Sequence, residues 1–229
     1  PLDLDLPERK ILLNADGTVD RVIVPLRLDA HRLIEEFMIQ ANVSAAETLE
    51  ARKTPLVYRV HDEPSMEKVV ALREFLATLD IPFQKGGILK PELFNRALAR
   101  VKGRDAEQLV NEIVLRTQAQ AEYSAENYGH FGLNLRRYAQ FTSPIRRYAD
   151  LVVHRALTRW YKLGDDGLTD HEAEAMEVTG ELISTLERRA MEAERETVDR
   201  YVAAFLADQV GQIVRCRITG VQPFGFFAT

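Results

Sequence analysis

Apolar and polar positions alternate along this chain with two different periods, and each change of period marks a predicted element. Lys10 to Leu13 and Thr18 to Val24 read as strands joined by Ala15-Asp16-Gly17, the pattern of a hairpin with a glycine turn. From Asp29, a residue type that caps helices, Leu33, Ile34, Phe37, Met38 and Ala41 fall on one stripe at helical spacing. Glu35 and Asn42 lie seven positions apart on that helix and so share a face. Leu56 to Val60 predicts a strand. Pro64-Ser65 predicts the start of a helix with Val69, Leu72, Phe75 and Leu76 inward, ending near Asp80-Ile81-Pro82. Lys85-Gly86-Gly87 reads as a loop, and Pro91 to Val101 and Asp105 to Ala119 as short helices. Thr142-Ser143-Pro144 has the form of another helix start, which the pattern carries to about Tyr161. Leu163 to Gly167 is a polar turn, and Thr169 to Ala207 reads as one long helix or a pair. At Gln209 the period shortens again: Val210 to Val221 predicts a strand, and Pro223-Phe224-Gly225-Phe226-Phe227 begins a second.

Charge changes this picture in one place. Between His130 and Trp160 there are six arginines, at 136, 137, 146, 147, 155 and 159, and one acid, Asp150, although the whole chain carries a formal charge of −5. Clustered arginines often pair with acids elsewhere in a fold. Here they alternate with Phe131, Tyr138, Phe141 and Tyr148, a composition that supplies planes for base stacking and forked donors for phosphates. A helix N-terminus at Thr142-Ser143-Pro144 beside Arg146 and Arg147 would add a seat for an anion.

The run from His130-Phe131-Gly132-Leu133 through Phe141-Thr142-Ser143-Pro144-Ile145-Arg146-Arg147-Tyr148-Ala149-Asp150-Leu151 to His154-Arg155 resembles the signature of the RNB family of exoribonucleases, the ribonuclease II and ribonuclease R family, and is most similar to its ribonuclease R form. Leu2 to Glu8, Leu33 to Asn42, Tyr58 to His61 and Glu187 to Arg195 fit the same family in the same order, so the likeness covers roughly residues 1 to 208. It implies an α+β fold, a mixed sheet with packed helices, in which 1–208 form the C-terminal portion of an RNB catalytic domain. Residues 209–229 would then be the first strands of an incomplete OB-fold RNA-binding domain, with Phe224 and Phe226 as candidate stacking rings.

The implied activity is processive 3′-to-5′ hydrolysis of single-stranded RNA to 5′-mononucleotides with Mg²⁺. The family holds its metal with a tight group of aspartates in a segment preceding the one seen here. No such group is found in this sequence; Asp3 and Asp5, alternating on an extended segment, read as an ordinary solvated edge. The expectation is therefore a chain that lacks metal ligands, is silent or nearly so alone, and has the upstream half of its own catalytic domain as a partner, as its opening on an extended segment without methionine also suggests. A non-catalytic RNA-binding module is the alternative. By resemblance, Arg146 contacts the scissile phosphate, and Glu194 with Glu35 holds the terminal nucleotide. Glu36 takes the place of Glu35 if the register is one residue later. Asn42, Tyr138, Phe141, Thr142, Ser143 and Arg147 would line the RNA path. His61, His130 and His154 read as structural histidines.

Composition narrows the setting only. Hydrophobic content of 46% and charged content of 28% describe an ordinary globule. One cysteine, Cys216, permits no internal disulfide, which suits a reducing compartment such as the cytoplasm, and on a strand it would be a small core residue. No apolar run is long enough to span a bilayer.

Overall fold

The computed structural model describes residues 1–6, 8–84, 86–207, 209–213, 216 and 218–228, with the backbone only at 219 and 227. Of the residues in the predicted loop and strand above, Lys85, Val214, Arg215 and Arg217 lie outside this set, as do Pro7 and Asp208. The chain divides into two compact units, one of Pro1–Asp5 with Arg27–Arg189, the other of Leu6–Leu26 with Ala190–Thr229.

In chain order the elements are β1 (Lys10–Leu13), β2 (Val19–Ile23), α1 (Asp29–Ala51), β3 (Tyr58–Val60), α2 (Met66–Thr78), α3 (Pro91–Val101), α4 (Glu107–Thr117), β4 (Glu122–Ser124), α5 (Tyr148–Tyr161), α6 (Asp170–Glu174), α7 (Met176–Ala207), β5 (Ile218–Gln222) and β6 (Gly225–Ala228). Among the described residues the strands form three antiparallel two-stranded ladders, β1–β2, β3–β4 and β5–β6, so the sheet component there is small and dispersed.

The first unit has two cores. One gathers Ala46 and Leu49 of α1, Val57 and Val60 around β3, Tyr123 of β4, and Val153 and Ala156 of α5. The other joins Leu72 and Leu76 of α2, Phe94 and Val101 of α3, and Val110 and Val114 of α4, with Leu2, Leu4 and Phe131 packed against it. Local chemistry explains most boundaries. The Ser65 hydroxyl accepts from Lys68 N–H at the start of α2, Pro91 opens α3, and Thr169 forms a capping box with Glu172 at α6.

Two predicted features are corrected at α1. Its N-cap is Leu28, not Asp29: the Leu28 N–H donates to Nδ1 of His31 at 3.0 Å, while the N-cap residue supplies no side-chain acceptor to the first turn. The stripe Leu33, Ile34, Phe37 and Met38 is exposed, Phe37 to 64%, and α1 enters the core only from Asn42 onward, through Ala45, Ala46 and Leu49. Helical spacing identifies a face without saying what covers it.

The first half of α7 lies tight against β4. Met176, Gly180 and Ser184, four apart, form its buried face. A Cβ on Gly180 would stand 2.9 Å from the Tyr123 carbonyl oxygen, and the Ser184 hydroxyl accepts from Tyr123 N–H at 2.9 Å. In the second unit β1–β2 is the predicted hairpin, with Gly17 at φ +84° in its turn. The β5–β6 hairpin occupies part of the segment read as two strands; Phe224 and Phe226 are 82% and 65% exposed. Cys216 is exposed, not a core residue, because it precedes β5 instead of lying within a packed strand.

Candidate functional site

The arginine-rich run does not begin a helix at Ser143. Residues 129–147 form a loop, and α5 starts at Tyr148. The reason is Asp150, the one acid of the run, which is fully buried in the first turn of α5. Its Oδ1 accepts from Ser143 N–H at 2.7 Å and from Arg147 Nη2 at 2.8 Å, while Oδ2 accepts from Arg147 Nε at 2.7 Å. The Ser143 carbonyl in turn accepts from the N–H groups of Arg146 and Arg147, at 3.3 and 3.1 Å. The Asp150 carboxylate thus takes the Ser143 N–H and the Arg147 guanidinium, two of the donors expected to seat an anion there.

The loop is tied down at several points. Gly129 at φ +84° brings its chain close to Leu135, whose carbonyl oxygen would be 3.1 Å from an added Cβ. His130 and Leu135 exchange backbone hydrogen bonds of 2.8 and 3.1 Å, and Phe131 N–H donates to the His61 carbonyl at 2.7 Å. His61 Nδ1 accepts from Gly132 N–H at 2.8 Å, so the ring proton is on Nε2, which donates to the Ala119 carbonyl at 2.8 Å. Burial pushes the pKa of His130 down to about 3, helped by the neighbouring His61 and Arg59, and its Nδ1 accepts from Leu133 N–H. His154 has Nε2 2.8 Å from the Phe141 carbonyl, and its ring stacks on that of Phe141 at 4.3 Å.

Asn42 ties α1 to this loop: its Nδ2 donates to the Tyr138 hydroxyl and its Oδ1 accepts from Phe141 N–H, both at 2.9 Å. Asn42 and Tyr138 are both buried, so they act as struts beneath the loop and not as an open stacking surface. The Thr142 hydroxyl is buried with no hydrogen-bond partner among the described residues. Glu35, seven residues before Asn42 and so about 10 Å along α1, is exposed and ion-paired with Arg27. Glu36 is exposed and has no partner among the described residues.

Ion pairs sort the six arginines. Arg137 donates to Glu50, Arg147 to Asp150, Arg155 to Glu172 and Arg159 to Asp170. Arg136 and Arg146 are exposed, and neither side chain has a partner among the described residues. Glu50 is a hub that also accepts from the Tyr58 hydroxyl and Asn127 Nδ2, each at 3.1 Å. Burial alone would raise its pKa, but hydrogen bonds from Arg137, Tyr58 and Asn127 outweigh it and hold the carboxyl below its usual range. A second network runs from Arg59 to Glu187 at 2.7 Å, and from the Tyr123 hydroxyl to Glu187 and to Gln140 at 3.2 and 2.5 Å. Arg59 also lies over the Tyr123 ring, 4.5 Å from its centre. Sequence reasoning missed these supports. Their one sequence signal was Asp150, the lone acid among six arginines.

Glu194 belongs to the second unit. There it lines a cavity of about 510 Å³ with Ile11, Leu13, Val198 and Tyr201, and with Arg9 and Lys10 at its edge. Among the described residues no three His, Cys, Asp or Glu side chains are grouped as a metal ion would require. Asp3 and Asp5 are exposed, and their backbone N–H groups are held by Asn95 and Asn111. The described residues thus offer no group that fits Mg²⁺, and no helix among them is long and apolar enough to cross a membrane.

Comparison with known proteins places this geometry. Ribonuclease R of Escherichia coli strain K12 is 40% identical over 99% of the chain, which spans 29% of that protein's length. The apo form of Mycoplasma genitalium RNase R superposes with a TM-score of 0.91 at 28% identity, over 99% of this chain and 36% of that one, and the same enzyme in complex with ribose methylated single-stranded RNA gives the same score. Yeast Ssd1, a pseudonuclease, matches less closely, with a TM-score of 0.58 at 25% identity over 69% of this chain and 20% of its own. The RNB domain family matches residues 1–162, which take in α1, β3, β4 and the clamped arginine loop up to the end of α5. The chain belongs to the RNB domain family.

Proposed function

We propose that this chain forms part of a processive 3′-to-5′ exoribonuclease, in which the loop 129–147 makes one wall of the path for single-stranded RNA. The observation that carries the reading is the sorting of the arginines: Arg146 stands exposed, without a partner among the described residues, on a turn anchored at Ser143 and Arg147. A guanidinium left free in that way can take a phosphate bidentately without first giving up a carboxylate. The single-stranded RNA in the complex of the M. genitalium relative supports RNA as the ligand. Arg146 is the candidate for the scissile phosphate, where it would stabilise developing charge. Glu36 is the freer of the two adjacent carboxylates on α1, and Glu194, which lines a cavity with Tyr201, is the candidate partner for a ribose hydroxyl. Hydrolysis to 5′-mononucleotides with Mg²⁺ then needs metal ligands from other parts of the polypeptide, the upstream half of the catalytic domain above all. The β5–β6 hairpin, as the opening of an OB-fold, would add RNA contact through Phe224. With one cysteine, the reading suits a cytoplasmic enzyme.

The test is binding of a fluorescent ten-nucleotide oligouridylate by anisotropy at several salt concentrations. Arg146→Ala is expected to weaken binding about tenfold, the worth of one charge-assisted hydrogen bond, and to reduce the slope of log affinity against log salt by about 0.7. Unchanged affinity and slope would remove Arg146 from the RNA path. Incubation with Mg²⁺ is expected to release no mononucleotides from the chain alone, and steady release would show that metal ligands lie within it. The absence of grouped acids among the described residues also favours a second reading, an RNA-binding module without hydrolysis. An aspartate cluster in the sequence preceding Pro1 would decide for the enzyme.

A further inference from the structure

We infer that Asp150 is a positioning residue for Arg146: its buried carboxylate closes the turn 143–147 at both ends and thereby fixes the direction in which the Arg146 guanidinium is presented. This inference rests on the reading of Arg146 as a phosphate contact.

One carboxylate does two jobs here. Oδ1 takes the N–H of Ser143, the first residue of the turn, and both oxygens take the guanidinium of Arg147, the last. The carboxylate is fully buried and the Arg147 side chain is only 20% exposed, so solvent screens neither partner effectively. Between these anchors the Ser143 carbonyl accepts from the backbone N–H of Arg146, which ties the backbone carrying the free guanidinium to the clamp itself. Ile145, next to it, is fully exposed and contributes no packing to the turn. The direction of Arg146 therefore depends on the hydrogen bonds to Asp150 and Ser143. Arg147, which the sequence placed on the RNA path, is assigned to the clamp: its donors toward Asp150 are not available to a phosphate while the turn is closed. Asp150 touches no ligand in this arrangement and acts through Arg146 alone.

A double-mutant cycle tests it, using the oligouridylate assay with Arg146→Ala, Asp150→Asn and the two together. Asn keeps an acceptor for Ser143 and loses the charge that holds Arg147. Asp150→Asn is expected to cost about the same tenfold as Arg146→Ala, to lower the salt slope by the same ~0.7, and to add nothing when Arg146 is already gone. Phe94→Ala, a core change in the other cluster of the same unit, is expected to lower the melting temperature and leave the salt slope unchanged. If Arg146→Ala weakens binding but Asp150→Asn does not, or if the two losses multiply, the inference is overturned while the reading of Arg146 stands. If Arg146→Ala has no effect, that reading fails first and the inference goes with it. Should Asp150→Asn not fold, the pair Arg147→Gln with Asp150→Asn removes the buried charges together and enters the same cycle. Amide exchange in the unaltered protein gives an answer independent of any variant: the Ser143 N–H must be strongly protected, and free exchange would rule the clamp out.

Discussion

Lowering the pH should unfasten the loop 129–147 through one side chain, His130. Its ring is half-buried in the turn it helps to form, with Nδ1 accepting from Leu133 N–H, and it is neutral in the folded protein with a pKa pushed down to about 3. In the unfolded chain the same imidazole titrates near 6.5, so between these two values the unfolded state binds the extra proton. A depressed folded value means that the stabilising contribution is complete above pH 6.5 and is lost as the pH falls toward 3. From pH 8 to pH 5 the loss attributable to His130 is about 2 kcal/mol, a substantial part of the ~5–15 kcal/mol typical of a folded domain. His61, whose pKa is lowered by burial and by Arg59, adds to the loss with the same sign. The assay is urea denaturation followed by fluorescence of Trp160, the single tryptophan, at pH 8 and pH 5. His130→Asn retains a side-chain acceptor for Leu133 without a basic ring. It is expected to recover most of that ~2 kcal/mol at pH 5 relative to its own value at pH 8. An equal fall in variant and parent would refute the assignment of the acid sensitivity to His130.

Two further changes probe the supports of the site. Asn42→Ala strips the partner from Phe141 N–H and from the Tyr138 hydroxyl at once, and is expected to cost about 2–3 kcal/mol in urea denaturation; a cost within experimental error would mean that these groups find water instead. Gly180→Ala drives a methyl into the backbone carbonyl of Tyr123 and is expected to destabilise by about 1–3 kcal/mol, read as a lowered melting temperature. A neutral effect would show that α7 can move away from β4 at no cost.

Elements whose cause is local were legible in the sequence. The β1–β2 hairpin follows from its glycine turn, and α2 from Ser65 and the apolar positions Val69, Leu72 and Leu76. Elements whose cause is distant were not. β4 is three residues long, too short to show a period, and its Tyr123 is held by Ser184, sixty-one positions away. The start of α5 was placed too early because Ser143-Pro144 has the form of a cap, while the carboxylate that overrides it lies inside the helix, at Asp150. In the candidate site, the arginines could be counted but not sorted. Whether Arg137 is free depends on Glu50, which lies eighty-seven residues before it, and nothing in the spacing announces that pair.

Because four of the six guanidinium groups are neutralised by carboxylates of the same chain, an approaching polyanion does not meet a broad basic plateau. Within the run it meets Arg136 and Arg146 as isolated points of positive charge, on a chain whose formal net charge is −5. On the proposed reading, such a surface would engage a polyanion one phosphodiester at a time, at a chosen point, and not along a continuous basic strip.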